Sequence, residues 1–142
     1  MTLIPVSKEN INFYRQFEAS EDLPRYQSRI YPNDKSSYLR WMYIVEDQHY
    51  IGSIWLEGEN TQLVKLGVFL AEPSYREKGI GKQAIQQMIA MAKSDGVSVI
   101  TLHVRVENIR ARNAYTSCGF QITKRFRTEK GIDAFSMELE LF

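Results

Sequence analysis

Pro73-Ser74-Tyr75-Arg76-Glu77-Lys78-Gly79-Ile80-Gly81-Lys82-Gln83 is the stretch that decides the reading of this 142-residue chain. It follows an apolar run, Leu63 to Leu70, that reads as a strand. It opens an amphipathic run, Lys82 to Lys93, that reads as a helix. A loop carrying Gly79 and Gly81 into a helix presents several backbone N–H groups with no intrahelical partner. Without a Cβ at the glycines, a ligand can come close to that backbone. Helix N-termini built this way attract anions, phosphates above all. Arg76, Lys78 and Lys82 add positive charge around the same loop. The physical expectation is a pocket for a phosphorylated cofactor.

Two other phosphate loops fail on spacing. A P-loop needs Gly-x-x-x-x-Gly-Lys followed by Ser or Thr. Here Gln83 follows Gly81-Lys82, and Arg76 occupies the earlier glycine position. Gly79-x-Gly81-x-x-Ala84 matches the loose dinucleotide fingerprint literally. That fingerprint wants a tight turn straight from strand to helix and an acidic residue about twenty positions on. Pro73, Ser74 and Tyr75 intervene, and the next strand ends near Glu107, too far along.

A second cluster narrows the choice. Asn108-Ile109-Arg110-Ala111-Arg112-Asn113-Ala114-Tyr115-Thr116-Ser117-Cys118-Gly119-Phe120 follows a strand expected over Val97 to Val106. Together with Arg76-x-x-Gly79-x-Gly81, this resembles the GCN5-related N-acetyltransferase (GNAT) family. The motif-bearing region runs from Leu63 to Phe120; the N-terminal part is similar in its order of elements only. The resemblance implies that the Arg76–Lys82 loop wraps the pyrophosphate of acetyl-CoA, through Arg76, Lys78, Gly79, Ile80, Gly81 and Lys82. It implies that the strand before the loop splays from the next one. The pantetheine amides would then pair with the backbone near Val68, Phe69 and Leu70. It also implies cofactor contacts from Asn108 and Tyr115, with Tyr115 as the acid that protonates the leaving thiolate.

Composition agrees with one small soluble domain over residues 1–142. Hydrophobic residues make up 44% and charged residues 25%, enough apolar material for a core and ordinary for a globular chain. A net charge of +1 argues against broad electrostatic binding to nucleic acid or an anionic membrane. No apolar run approaches the roughly 20 residues of a membrane helix, and Met1-Thr2-Leu3-Ile4-Pro5 does not read as a signal peptide. The single cysteine, Cys118, excludes an internal disulfide and fits a reducing cytosol. It reads as a small residue packed at a helix end. The expectation is a cytoplasmic monomer or homodimer with acetyl-CoA and an amine substrate as partners and no metal.

The elements follow from periodicity and caps. Thr2 to Val6 reads as a strand, and Ser7 as the cap of a helix through about Glu18. A short helix or turn follows over Pro24 to Ile30. Tyr38 to Val45 and Tyr50 to Leu56 form a hairpin turning at Glu46-Asp47-Gln48-His49, so His49 is exposed. Gln62 to Leu70 is a strand. The next helix buries Ile85, Met88, Ile89 and Ala92 and stops at Gly96. Asn108 caps the last helix, and Gln121 to Phe126 with Ala134 to Phe142 make a closing hairpin. The expected fold is α/β of the α+β type, the GNAT fold. It has a mixed, mostly antiparallel sheet of six to seven strands, about four helices and a splayed central strand pair.

Mid-strand Gly67 reads as a bulge or a close approach by the cofactor, with accommodation of a bulky neighbour as the plainer alternative. Tyr115 shares one helix face with Ala111 and Cys118. A primary ammonium titrates near about 10.4, so a base or a wet proton path is needed at neutral pH. Some GNAT enzymes carry a glutamate on the strand before the phosphate loop; here that position is Lys65. In the ribosomal-protein N-terminal acetyltransferase branch a glutamate stands in a Leu-Glu-Val-Arg context. This chain has Leu102-His103-Val104-Arg105, which makes His103 the candidate base, with a satisfied polar strand residue as the alternative. Alternation sets Thr101, His103 and Arg105 opposite Ile100, Leu102, Val104 and Val106. Glu18, Glu21, Asp22, Glu57 and Glu59 are candidates for an acidic mouth, and Tyr26, Tyr31, Tyr38 and Trp41 for stacking surface. The expected activity is acetyl transfer to a primary amine by direct attack in a ternary complex. The rival from another class is a non-catalytic acyl-CoA-binding or sensor domain.

Overall fold

The computed structural model describes residues 1–13, 31–71, 75 and 78–142. Its strands are β1 (Thr2–Pro5), β2 (Tyr38–Glu46), β3 (His49–Gly58), β4 (Leu63–Leu70), β5 (Val99–Arg105), β6 (Gln121–Arg127) and β7 (Asp133–Glu140). The α-helices among the described residues are α1 (Ile80–Ser94) and α2 (Ile109–Ser117). All seven strands join one sheet in the order β1-β2-β3-β4-β5-β7-β6. Only β4 and β5 pair in parallel, as a β-helix-β crossover requires. The mixed, mostly antiparallel sheet expected from the sequence is present. The helices expected from Ser7 to Glu18 and from Pro24 to Ile30 fall largely outside the described residues. Where Ser7 to Phe13 is described, the chain turns and then makes a short 3₁₀ segment at residues 11–13 rather than an α-helix. The reason is Asn10, whose Oδ1 accepts the Ser7 N–H at 2.7 Å while its Nδ2 donates to the Pro5 carbonyl at 3.1 Å. Local side-chain bonds of this type compete with helix.

The β2–β3 turn has Asp47 at φ 50° and Gln48 at φ 66°. Two left-handed residues make the tight hairpin turn whose twist matches the strands. Register then puts Met42, Ile54 and Val68 in one row and Trp41, Trp55 and Gly67 in the next. Neighbouring rows point to opposite faces. The first face carries Ile44, Leu56, Leu66, Ile100 and Leu102, and α1 lays Ile80, Ala84, Ile85, Met88 and Ala92 against it. Those helix positions recur at the spacing of one buried stripe. Each such large aliphatic side chain contributes about 1.5–3 kcal/mol on burial. Tyr115 and Phe120 from the α2 region join the same core.

Helix α1 ends where the Gly96 N–H reaches the Lys93 carbonyl at 3.1 Å and the Val97 N–H reaches that of Ala92 at 2.9 Å. Its end is tied to the sheet. Asp95 accepts from Arg40 Nε at 2.8 Å, Arg40 Nη2 at 2.6 Å and the Tyr38 hydroxyl at 2.6 Å. The bidentate guanidinium holds the Asp95 carboxyl below the usual range. Burial, and then Asp95 itself, push the Tyr38 hydroxyl up to about 12. Tyr38 therefore anchors α1 instead of offering stacking surface to a ligand.

Candidate active site

The parallel ladder between β4 and β5 is short. It pairs Leu63 with Val99, Val64 with Ile100 and Lys65 with Thr101, and then the strands part. This is the splay that the family resemblance implies. β5 turns instead to β7, pairing along its whole length from Val99–Glu140 to Arg105–Ala134. A cavity of about 420 Å³ occupies the cleft. Leu66, Val68 and Val104 line it from the core-facing rows. Trp55, Lys65, Gly67, His103 and Arg105 line it from the opposite rows, so the opening passes between the two faces.

Gly67 meets the plainer of its two readings. A Cβ there would overlap the indole of Trp55, its cross-strand partner, and the β3–β4 register runs through Gly67 without a bulge. The glycine makes room for Trp55, which is fully buried yet forms a wall of the cavity. Of the three residues expected along the cofactor arm, Val68 lines the cavity. Phe69 packs with Tyr43 on the other face, and Leu70 packs on the core.

At the far end of β4 stands the N-terminus of α1. Gly79 is its N-cap, with φ 74°, a left-handed value that glycine adopts at no steric cost. No side chain caps the helix. The first helical bond runs from the Gln83 N–H to the Gly79 carbonyl at 3.1 Å, so the N–H groups of Ile80, Gly81 and Lys82 precede the ladder. A Cβ at Gly79 would meet nothing within 4 Å; one at Gly81 would meet only Leu70 Cδ1, at 3.6 Å. The helix start is thus open and lies against the end of β4. The Ile80 side chain is in the core, while Lys82 and Lys78 are exposed, the latter with Nζ 5.3 Å from the centre of the Tyr75 ring. Arg76 lies outside the described residues. A phosphate-bearing cofactor fits this arrangement: uncapped N–H groups, a glycine backbone with room above it and a cleft beside it.

His103 sits on β5 on the side away from α1 and α2, with its ring centre 4.9 Å from that of Phe126. Partial burial, then the charges of Lys65 and Lys124, hold its pKa below the ordinary value. Tyr115 is on the opposite side, buried, its ring 5.9 Å from Phe120 in an edge-on arrangement. Burial drives its hydroxyl pKa strongly upward. Tyr115 does not line the open cavity; Ala111 and Cys118 pack beside it on the same core, as the helix spacing requires. Asn108 caps α2 by accepting the Ala111 N–H at 3.4 Å, and it also lines the cavity. Burial raises the Cys118 thiol, so it is a neutral packing group.

Several lining residues were not singled out from the sequence. Trp55 reaches the cleft across Gly67 from β3, and Phe126, Thr128, Lys130 and Ile132 come from β6 and the β6–β7 turn, on the far side of β5. The only sequence signal among the missed residues was Arg105, which alternation puts on the His103 side. Glu57, a candidate for an acidic mouth, instead accepts the Asn33 N–H at 2.6 Å, and Trp41 donates to Ser53 Oγ at 2.8 Å. Glu59 is exposed beyond the end of β3, and His49 is exposed at the hairpin turn. Glu18, Glu21, Asp22 and Tyr26 lie outside the described residues. Among the described residues no group of three or more His, Cys, Asp or Glu is placed to hold a metal ion. No described helix is long and apolar enough to cross a membrane.

A mixed sheet parted at one parallel strand pair, with an uncapped glycine-started helix beside the parting, is the arrangement that the family resemblance implies. The chain belongs to the acetyltransferase (GNAT) family, whose sequence profile matches residues 6–120. An uncharacterized N-acetyltransferase of Bacillus subtilis (strain 168) is 32% identical over 96 residues, which are 63% of this chain and 60% of that relative. The match therefore spans about three fifths of the relative's length. Among solved structures, a spermidine N-acetyltransferase from Vibrio cholerae, in complex with CoA and spermine, superposes with a TM-score of 0.80 at 18% identity. That superposition covers 98% of this chain and 94% of the other. A ribosomal-protein-alanine N-acetyltransferase from Escherichia coli gives 0.76 at 18% identity, covering 98% and 92%. At such identities the likeness is one of fold.

Proposed function

We propose that this chain is an acetyl-CoA-dependent N-acetyltransferase acting on a primary amine, with cofactor and amine bound together. The observation that carries the reading is the uncapped start of α1, with left-handed Gly79, beside the cleft between β4 and β5. Acetyl-CoA, when bound, supplies the acetyl thioester. The N–H groups of Gly79, Ile80, Gly81 and Lys82 would hold its diphosphate, with Arg76, Lys78 and Lys82 adding charge. The backbone of Val68, Phe69 and Leu70 and the Asn108 side chain would hold its arm.

The chain's own groups then manage protons from two sides. His103, kept neutral at pH 7 by burial and by two lysines, can accept a proton from the acceptor's ammonium, directly or through water. Tyr115, kept protonated by burial, holds a proton on its hydroxyl that can be given to the departing sulfur. Trp55 walls the cavity on one side, and Val104 backs it from the core.

Two measurements test the reading. Gly81→Glu adds bulk and negative charge where the diphosphate would sit, yet its Cβ meets only Leu70, so the variant folds. Calorimetry should show acetyl-CoA affinity falling by more than about tenfold, or ~1.4 kcal/mol. Unchanged affinity in a folded variant removes the proposed site. Thiol release from acetyl-CoA across a panel of primary amines should find an acceptor. Binding without turnover for any amine would favour the sensor domain.

A further inference from the structure

The charge around the cleft is uneven. Residues 103–133 carry seven Lys and Arg against three Asp and Glu, a net +4 in a chain of +1, which leaves −3 for the rest. Much of that charge is already engaged or directed elsewhere. Asp133 pairs with Arg125 at 3.1 Å and Arg127 at 3.3 Å, and Arg112 donates to the Val106 carbonyl at 2.7 Å. Among the described residues, the charged side chains that line the cavity are Lys65, Arg105 and Lys130 with the carboxylate of Glu129. No ion pair among the described residues engages Arg105 or Lys130. Residues 14–30, Glu72 and Glu77 lie outside the described residues.

Two cations beside an apolar wall, with Glu129 the one carboxylate among the described lining residues, are suited to an anion that arrives with a ligand. The cofactor's diphosphate already has the helix start at the end of β4. We propose that the acceptor amine carries an anionic group of its own, a carboxylate or a phosphate, held by Arg105 and Lys130 while its amine lies toward His103. This rests on the N-acetyltransferase reading above. Arg105 and His103 are two residues apart on one strand, so both point to the same side about 6–7 Å apart along it. That spacing suits a small acceptor with its two groups a few bonds apart. The chemistry is consistent at the amine end too. The lysine charges that disfavour an imidazolium at His103 also disfavour an ammonium there, which leaves the neutral amine that attack requires. An acceptor with several positive charges would meet the same lysines unfavourably.

The test compares matched acceptors in a thiol-release assay at saturating acetyl-CoA. A carboxylate-bearing amine, its phosphate counterpart, the neutral amide of the first and a polyamine are the four arms. Both or one of the anionic arms should exceed the amide and the polyamine in kcat/KM by at least about tenfold, and the better of the two names the group. In Arg105→Gln/Lys130→Gln, checked by thermal melting, KM for that amine should rise at least about tenfold while KM for acetyl-CoA changes less than about twofold. Preference for the amide or the polyamine overturns the proposal and leaves the acetyltransferase reading standing. A rise in KM for acetyl-CoA instead would assign the two cations to cofactor phosphates and also overturn it. Turnover of no arm, nor of any amine in the wider panel, removes both readings together.

Discussion

On one side of the β4–β5 cleft, Tyr115 is buried in a continuous apolar core with Ala111, Cys118 and Phe120. On the other, His103 stands among lysines, an arginine and the edge of Phe126 at an open cavity. The same low polarity acts on both rings with opposite results. Burial raises the pKa of an acid whose charged form is an anion and lowers that of a base whose charged form is a cation. Both shifts favour the neutral form, which the phenol holds at pH 7 even without burial. The two settings lie on opposite sides of the sheet, the open cavity for His103 and the apolar core for Tyr115.

The sharpest way to break this division of labour is on the closed side. Tyr115→Phe keeps the ring and the packing and removes the hydroxyl. If Tyr115 is the acid, kcat falls by roughly 10²–10⁴ while acetyl-CoA affinity barely changes. Full activity in stopped-flow or steady-state assays would leave the open side as the sole proton handler. Next in size is Gly67→Ala, which sets a methyl group into the Trp55 indole. Overpacking of this kind costs about 1–3 kcal/mol, so the thermal midpoint should drop by several degrees, by about ΔΔG/ΔS of unfolding. An unshifted melt would mean that the Trp55 wall yields easily and does not shape the cleft.

The subtlest change is in the pH profile of the open side. His103 loses its function as a base when protonated, so kcat/KM falls on acidification through its pKa. That pKa is held below its ordinary value of about 6.5, so the fall should come at more acidic pH than a free imidazole would give. His103→Gln should abolish that limb. A profile identical in wild type and variant would transfer the proton to a water chain or to amine deprotonated before binding.

What could be read in the sequence was what local chemistry dictates. The glycine loop that leads into α1, the Asn108 cap, the turn at Asp47-Gln48 and the alternation of Leu102, His103 and Val104 each depend on residues within a few positions of one another. The family motifs carried the expected splay. Gly67 was misread because its reason, Trp55, is twelve residues away and meets it only through antiparallel register. The Phe126, Thr128, Lys130 and Ile132 wall had no signal at all, since nothing in a hairpin's own sequence says that its second strand will insert beside β5. Tyr38 looked like an exposed aromatic until Asp95, 57 positions on, claimed its hydroxyl.

The short β4–β5 ladder has a consequence for how the molecule opens. Beyond its three register pairs, the bonds from Ser98 to Thr61 at 2.8 Å and Val99 to Gln62 at 3.1 Å complete the join between two hydrogen-bonded blocks, β1–β4 and β5–β7. So short a ladder makes a seam in the backbone bonding, across which one apolar core still holds the blocks together. The Tyr38–Arg40–Asp95 clamp spans from β2 to the end of α1, so the crossover helix stays with the first block as the seam gives. A ligand that bridges the cleft binds only the closed seam and adds RT ln(1 + [L]/Kd) to its opening free energy. Amide exchange at Val64, Lys65, Ile100 and Thr101 should therefore slow with cofactor concentration before that of β2 or β7 does.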